Sequence, residues 1–198
     1  MANMIDRDPT PEKESARWER VTGTLEDLRE MCKVHERYLD PEISDDDIRI
    51  SSDNKELEGQ FESIIKGGEI IMLLRRGNRS IGYLIVRPRP IKEYGMTLSI
   101  SALEMATKEI DLSIAGKLID VLKSCASEVG TAYISWTIGP SRAGIFSDKI
   151  GAQEIDDGKY ILPIEKLDRR GIFQSIKTWR EKVKSEPQNQ EEGDVDYE

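Results

Sequence analysis

Several things are scarce in this sequence, and each shortage closes off a class of protein. Only two cysteines occur, Cys32 and Cys125, far apart on what read as separate helices. A disulfide-stapled secreted scaffold is therefore excluded, and both thiols are expected to be reduced core residues, as suits a cytosolic compartment. One histidine, His35, with two distant cysteines cannot complete a typical zinc ligand set. No apolar run approaches the roughly 18–20 residues of a membrane span, and the acid-bearing start MANMIDRDPTPEKE lacks a signal-peptide pattern. Bases are also short, with 29 Lys and Arg against 38 Asp and Glu and a net charge of −9. Binding duplex nucleic acid by charge alone needs a basic field that is absent here. There is no sign of internal repeats.

Charged residues make up 34% of the chain, but the excess gathers at the ends. The last thirteen residues, Glu186 to Glu198, hold six acids and no base, which leaves the rest near −3. Between Trp18 and Ile164 the apolar runs are dense enough for one packed core. The organisation expected is an extended polar arm at 1–16, a single domain at 17–164, a basic amphipathic helix at 165–185 and an acidic tail at 186–198.

Periodicity places the elements. Trp18 to Thr22 reads as a short strand, and Thr24 with Asp27 three residues on is a near capping box. The helix it opens runs to about Leu39, with Leu25, Leu28, Met31, Cys32, His35 and Leu39 on one stripe before Asp40-Pro41 ends it. Residues 43–53 are acidic and irregular. Helical spacing returns from Asn54 to Lys66 through Leu57, Phe61, Ile64 and Ile65, and Gly67-Gly68 stops it. Two β-rich runs then flank Arg76-Gly77-Asn78-Arg79, a strong hairpin signal, and Pro88 and Pro90 are expected to close the second. A third long strand covers Met96 to Met105, and a helix covers Leu112 to Val129 with Ile114, Leu118, Val121, Leu122 and Cys125 inward. A strand at Thr131 to Ile138, a short helix from about Ser141 to Ile150 and a strand pair around Asp157-Gly158 complete the domain.

The segment LSISALEMATKEIDLSIAGKLI, from Leu98 to Ile119, carries the strongest functional signal. It passes from a strand pattern to a helix pattern through a short polar turn, a junction where unpaired amides and a partial positive charge favour phosphates. The amides of about Asp111 to Gly116 would face whatever sits at the helix start. The alternative is a helix capped by Asp111 with no ligand.

The element order, with those lengths, resembles the GNAT superfamily of N-acetyltransferases from about Arg17 to Ile164. In that family the long strand leads into a pyrophosphate loop, Q/R-x-x-G-x-G/A. Here Ile110, Ser113 and Ala115 fill the named positions, after Leu103 and Met105. Downstream, SRAGIFSDKIGAQ is similar to N-x-x-A-x-x-F-Y-E-K-x-G-F through Ala143, Phe146, Lys149 and Gly151. The resemblance implies an α/β (α+β) domain with a central mixed, mostly antiparallel sheet of six or seven strands flanked by helices, here with an added C-terminal helix. It also implies acetyl-CoA as cofactor, held by Met105, Ile110, Asp111, Leu112, Ser113, Ile114, Ala115 and Gly116, and an amine as acceptor. If that cradle of amides proves plugged, or its amides already engaged by the protein itself, the transferase reading falls and only a scaffold remains.

Departures from the pattern are specific. Ile110 offers phosphate no charge, Ser113 has a Cβ where the family has glycine, and Asp111 adds a negative charge. The tyrosine that many members use as acid toward the leaving thiolate aligns with Ser147, a poorer acid by several pKa units, and the upstream Asn aligns with Pro140. Amine acylation needs a base, and Glu104 stands where some members place one; a solvated strand residue is its alternative reading. Tyr133, Trp136 and Tyr160 are candidates for an acceptor pocket or for plain core. His35 reads as a boundary histidine, and Asp45-Asp46-Asp47 as a solvated loop without calcium-loop spacing.

Glu165 to Ser185 is extra to the resemblance. Ile172, Phe173, Ile176, Trp179 and Val183 form a stripe that must be buried, on its own domain or on a partner protein, with seven bases against three acids around it. Two classes of function stand. One is an acetyl-CoA-dependent N-acyltransferase, with Glu104 and Ser147 as catalytic residues. The other is a non-catalytic GNAT-fold assembly component, such as a phage virion protein using its added ends as connectors. The location expected is the cytoplasm, of a host cell or within a virion if the source is viral. No metal, membrane or nucleic acid is expected.

Overall fold

A computed structural model of the chain describes residues 15–21, 23–40, 42–44, 48, 52–106, 111–137, 150–156, 158–174 and 177. Seven strands join in one sheet: β1 (Arg17–Arg20), β2 (Ile70–Arg76), β3 (Arg79–Ile91), β4 (Gly95–Met105), β5 (Tyr133–Thr137), β6 (Gln153–Asp156) and β7 (Lys159–Pro163). Their order is β1-β2-β3-β4-β5-β7-β6. Every neighbouring pair is antiparallel except β4 and β5. The sheet is thus mixed and mostly antiparallel, with helices on both faces.

The β2–β3 hairpin forms where the sequence signals it. Arg76 pairs with Arg79, and Gly77 alone of the two turn residues takes positive φ, at 59°, the pattern of a type II′ turn. One expectation fails nearby. The prolines do not end β3, which continues through Pro88 and Pro90 to Ile91 and pairs with β4 throughout. Pairing with β2 stops at Val86, so beyond it β3 has a free edge on that side. Pro88 and Pro90 share one strand parity, and both missing N–H groups point to that edge, where no ladder bond is lost.

Helix α1 (Leu25–Leu39) opens on the expected device: Thr24 accepts from the Asp27 amide and Asp27 accepts from the Thr24 amide. Its stripe is shifted from the expected one. Leu28, Met31, Cys32 and Val34 are buried, whereas Leu25 and Leu39 lie at the exposed ends. Arg37 is buried as well, its Nη1 donating to the Ser80 carbonyl at 3.0 Å. That carbonyl borders a bulge, since Leu74 pairs with Gly82 and Arg75 with Ser80, leaving Ile81 without a β2 partner.

Helix α2 (Ser52–Lys66) packs beside α1, with Phe61 edge-on to Tyr83. Together they cover one face of the sheet over Ile71, Leu73, Tyr83 and Ile85. Helix α3 (Leu112–Val129) covers the other face, and Ile114, Leu118, Val121, Leu122 and Cys125 are all buried as the periodicity requires. Gly130 closes it at φ 71°. Both cysteines are free and buried.

After β7 a 3₁₀ turn (Ile164–Lys166) leads into helical residues 169–174, whose start is capped by Asp168 accepting from the Gly171 amide at 2.7 Å. Leu167 and Ile172 are buried and Phe173 half-buried against the α3 face. The first turns of the added helix therefore pack on their own domain; Ile176, Trp179 and Val183 lie outside the described residues. So do the proposed helix at 141–149, Asp45-Asp46-Asp47, most of the N-terminal arm and the acidic tail. Among the described residues no helix is long and apolar enough to cross a membrane.

Candidate active site

The β4–β5 junction opens midway along β4. These parallel strands pair only at Leu98–Ile134, Ser99–Ser135 and Ile100–Trp136. From Ser101 to Met105, β4 keeps β3 on one side and, among the described residues, has no strand on the other. Among those residues a row of backbone N–H and C=O groups is thus left unpaired in the middle of the sheet rather than at its rim.

A bulge sits at the same place and decides which way the side chains point. Ile85 pairs with Ala102 and Val86 with Ile100, leaving Ser101 as the extra residue on β4. Before it, Leu98 and Ile100 face α3; after it, Leu103 and Met105 do. Even-numbered positions have become the opposite face, so Ala102 and Ala106 pack under α1 and α2, and Glu104 points the same way.

Glu104 meets two partners there. Its Oε2 lies 2.8 Å from Nδ1 of His35 on α1. Tyr83, directly across the ladder on β3, hydrogen-bonds the same carboxylate. The His35 and Glu104 side chains are 24% and 18% exposed, and Tyr83 is buried. Burial first, then the Glu104 charge, pushes the Tyr83 phenol far above its usual range, so its hydroxyl stays protonated and donates. The hydrogen bond to Glu104 raises the His35 pKa; burial opposes it, and the charges of Glu104 and Glu36 add to it.

The expected base therefore sits in a three-residue constellation. The sequence offered no sign of it, because His35 and Glu104 are 69 positions apart. The one weak signal was that His35 lies on the apolar stripe of α1, where a polar ring needs a polar partner.

On the far side of the opening, α3 begins at Asp111. Its Oδ1 accepts from the Ile114 amide at 2.8 Å, and its carbonyl accepts from the Ala115 amide at 3.2 Å. Two amides of the expected cradle are thus engaged inside the protein. Those of Leu112 and Ser113 are left without an intrahelical partner. Ile114, Ala115 and Gly116 are buried, whereas Asp111, Leu112 and Ser113 are exposed. Met105 is 4% exposed, its Cγ near Gly82 in the core, so only its main chain faces the opening. Ile110 and Ser147 lie outside the described residues.

An open groove of about 460 Å³ runs from Leu112 and Ser113 along α3 past Lys117 and Asp120 to Arg169 and Arg170. Lys117 is tied to Ser15 Oγ and the Ala16 carbonyl. Arg169 and Arg170 carry no ion pair among the described residues and supply positive charge that the loop itself lacks. Gly116 makes room for Arg169, since a Cβ there would stand 2.9 Å from Arg169 Nε.

Trp136 and Tyr160 are stacked in the core at 6.2 Å, the plain alternative of the two weighed for them. Tyr133 is half-buried, edge-on to Tyr94 at 5.3 Å.

This arrangement of strands and helices is similar to that of solved structures. FdhC, a nucleotide-linked sugar GNAT, matches at TM-score 0.52 and 17% identity over 85% of this chain and 94% of its own. The chain has the GNAT fold. A predicted acetyltransferase from Clostridium acetobutylicum, solved with acetyl-CoA, matches at TM-score 0.50 and 17% identity over 71% of this chain and 92% of its own. PH1933 from Pyrococcus horikoshii OT3 matches at TM-score 0.55 and 13% identity, over 75% and 98%. No family model matches the sequence, and no curated protein does. Such identities speak to the GNAT fold and leave its activity to the residues of this chain.

Proposed function

We propose that the chain is an acetyl-CoA-dependent N-acyltransferase acting on an amine, with Glu104 as general base. The observation that carries the reading is the opening of β4 from Ser101 to Met105 with Glu104 fixed on its α1 side. The residues present suit the cofactor in three places. The free β4 edge offers amide and carbonyl groups to an extended, amide-bearing chain. Leu112 and Ser113 offer helix-start amides to phosphate, and Arg169 and Arg170 bring charge to the same groove. Acetyl-CoA supplies an acyl thioester when bound.

The protein's own part is to desolvate and orient the amine and to remove its proton. Glu104 is suited to that, being a half-buried carboxylate already oriented by two hydrogen bonds. Glu104→Gln keeps the shape and removes the base. Release of free thiol from acetyl-CoA, measured against a panel of primary amines, is expected to fall about 10²–10⁴-fold in this variant, with acetyl-CoA affinity unchanged. Equal rates in the variant and the parent would remove Glu104 from the mechanism.

A second reading is a GNAT-fold assembly component without catalysis, and the Asp111 cap favours it. A carboxylate on the Ile114 amide stands where a diphosphate oxygen would, and its charge repels phosphate. On this reading the full chain self-associates or joins a larger particle through its ends. A monomer in sedimentation that also transfers acetyl groups would contradict it.

A further inference from the structure

We propose that His35 and Glu104 form a proton relay from the acceptor amine to solvent, with Tyr83 as the positioning residue that holds the carboxylate. The inference rests on the acyltransferase reading and adds to it the route by which the base is regenerated. Each part follows from placement. Nδ1 of His35 faces Glu104 Oε2 at 2.8 Å, a hydrogen-bond distance across which a proton can pass. The opposite ring nitrogen, Nε2, has no partner among the described residues, and the side chain is 24% exposed. One end of the imidazole thus meets the carboxylate, and the other has a way to water.

The proton count balances. Glu104 takes one proton from the ammonium, leaving a neutral amine. That proton crosses to the Nδ1 lone pair of a neutral His35, which restores the carboxylate and forms an imidazolium. The imidazolium releases the Nε2 proton to solvent, which leaves the ring neutral with its proton on Nδ1. Exchange with solvent, gaining a proton at Nε2 and losing the one at Nδ1, then restores the starting tautomer before the next turnover, so that one proton in total leaves per amine. Tyr83 takes no part in the transfer, since its phenol stays protonated; it occupies one lone pair of the carboxylate and limits its rotation. When His35 is already charged, the carboxylate accepts an N–H from an imidazolium and is a weaker base. Activity should therefore rise as His35 deprotonates.

The charged groups that act on His35 are Glu104 on β4 and Glu36 on α1, while Tyr83 on β3 and, through it, Tyr38 and Cys32 on α1 act on the same carboxylate neighbourhood. Among these Glu104 and Glu36 both favour the charged ring. The expected rise in activity accordingly lies above the ordinary histidine range of about 6.5.

His35 is the only histidine in the chain, so its ring can be followed without ambiguity. The first arm of the test needs no activity: long-range ¹H–¹⁵N NMR of the imidazole across pH. The relay expects His35 in the parent chain to titrate above the ordinary value and in Glu104→Gln to return toward it. Titration at the ordinary value in both proteins overturns the pair.

The second arm is the pH profile of acetyl transfer in His35→Gln, whose amide can donate to Glu104 but cannot titrate. The relay predicts kcat lower by roughly 10²-fold, the low end of acid–base contributions, KM for acetyl-CoA unchanged, and no acid limb from this ring. A profile identical to the parent's overturns the relay and leaves His35 as a structural tie. Coupled titration without any acetyl-CoA turnover would instead show that the pair exists and that the acyltransferase reading fails.

Discussion

His35 connects stability to pH in a way that can be measured without any substrate. Its pKa is raised in the folded protein, chiefly by the hydrogen bond to Glu104. A group whose folded pKa is raised contributes stability in full below its unfolded value, about 6.5 for histidine, and loses it as pH rises through the folded value. Urea unfolding of the parent chain and of His35→Gln should therefore differ most below about pH 6.5, with the difference shrinking as pH rises through the folded value. A difference that grows with pH would reverse the assignment.

Sequence reasoning reached Glu104 through the GNAT resemblance, as the position near the end of the third long strand where some members place a base. It did not reach the reason. The face is set by the bulge at Ser101, and a bulge leaves no mark in alternation that is read from either side alone. Tyr83 and His35 were equally hidden, because their pairing with Glu104 is a product of strand register and of where α1 lands. Arg169 and Arg170 were visible only as part of a basic helix, and the position of Arg169 over Gly116 depends on how the added segment folds back.

Three substitutions test the elements that frame the site. Asp111→Ala removes the cap of α3 and should destabilise the protein by about 1 kcal/mol in urea unfolding, as lost N-caps do. Asp111→Asn keeps an acceptor and should recover most of that, while its lost negative charge should strengthen acetyl-CoA binding. Gly82→Ala tests the strand behind Glu104. A Cβ there would lie 2.9 Å from the Glu104 carbonyl and 3.4 Å from Met105 Cγ, so main chain must move. Overpacking of this kind is destabilising by about 1–3 kcal/mol.

Gly116→Ala should have the opposite sign. Its Cβ would meet the flexible side chain of an exposed Arg169, whereas alanine inside a helix is worth about 1 kcal/mol over glycine. A stability equal to or above the parent's is expected. A loss of more than about 1 kcal/mol would show that the Arg169 seat is rigid.

The elements themselves were largely legible. The Thr24 cap, the Gly77-Asn78 turn and the inward stripe of α3 stand where local chemistry puts them. The passage of β3 through two prolines was misread, since a strand's tolerance of proline depends on which edge is free, and that is a property of the sheet.

At the scale of the molecule, the fold comes from two cores on either side of one sheet. The α3 core is the larger, and Leu167 and Ile172 of the added segment extend it. The addition is thus part of the domain at its start, and it carries two arginines to the groove that begins at α3. The split sheet, the two free helix-start amides and those arginines together form the account's central claim, a site for acetyl-CoA with its amine base across the opening.

Isothermal titration calorimetry of the full chain with acetyl-CoA tests that claim most directly. The account predicts saturable one-site binding with Kd below about 1 mM, weakened by charge reversal in Arg169→Glu with Arg170→Glu. Absence of binding heat at millimolar acetyl-CoA, under conditions where the chain is folded, would contradict it.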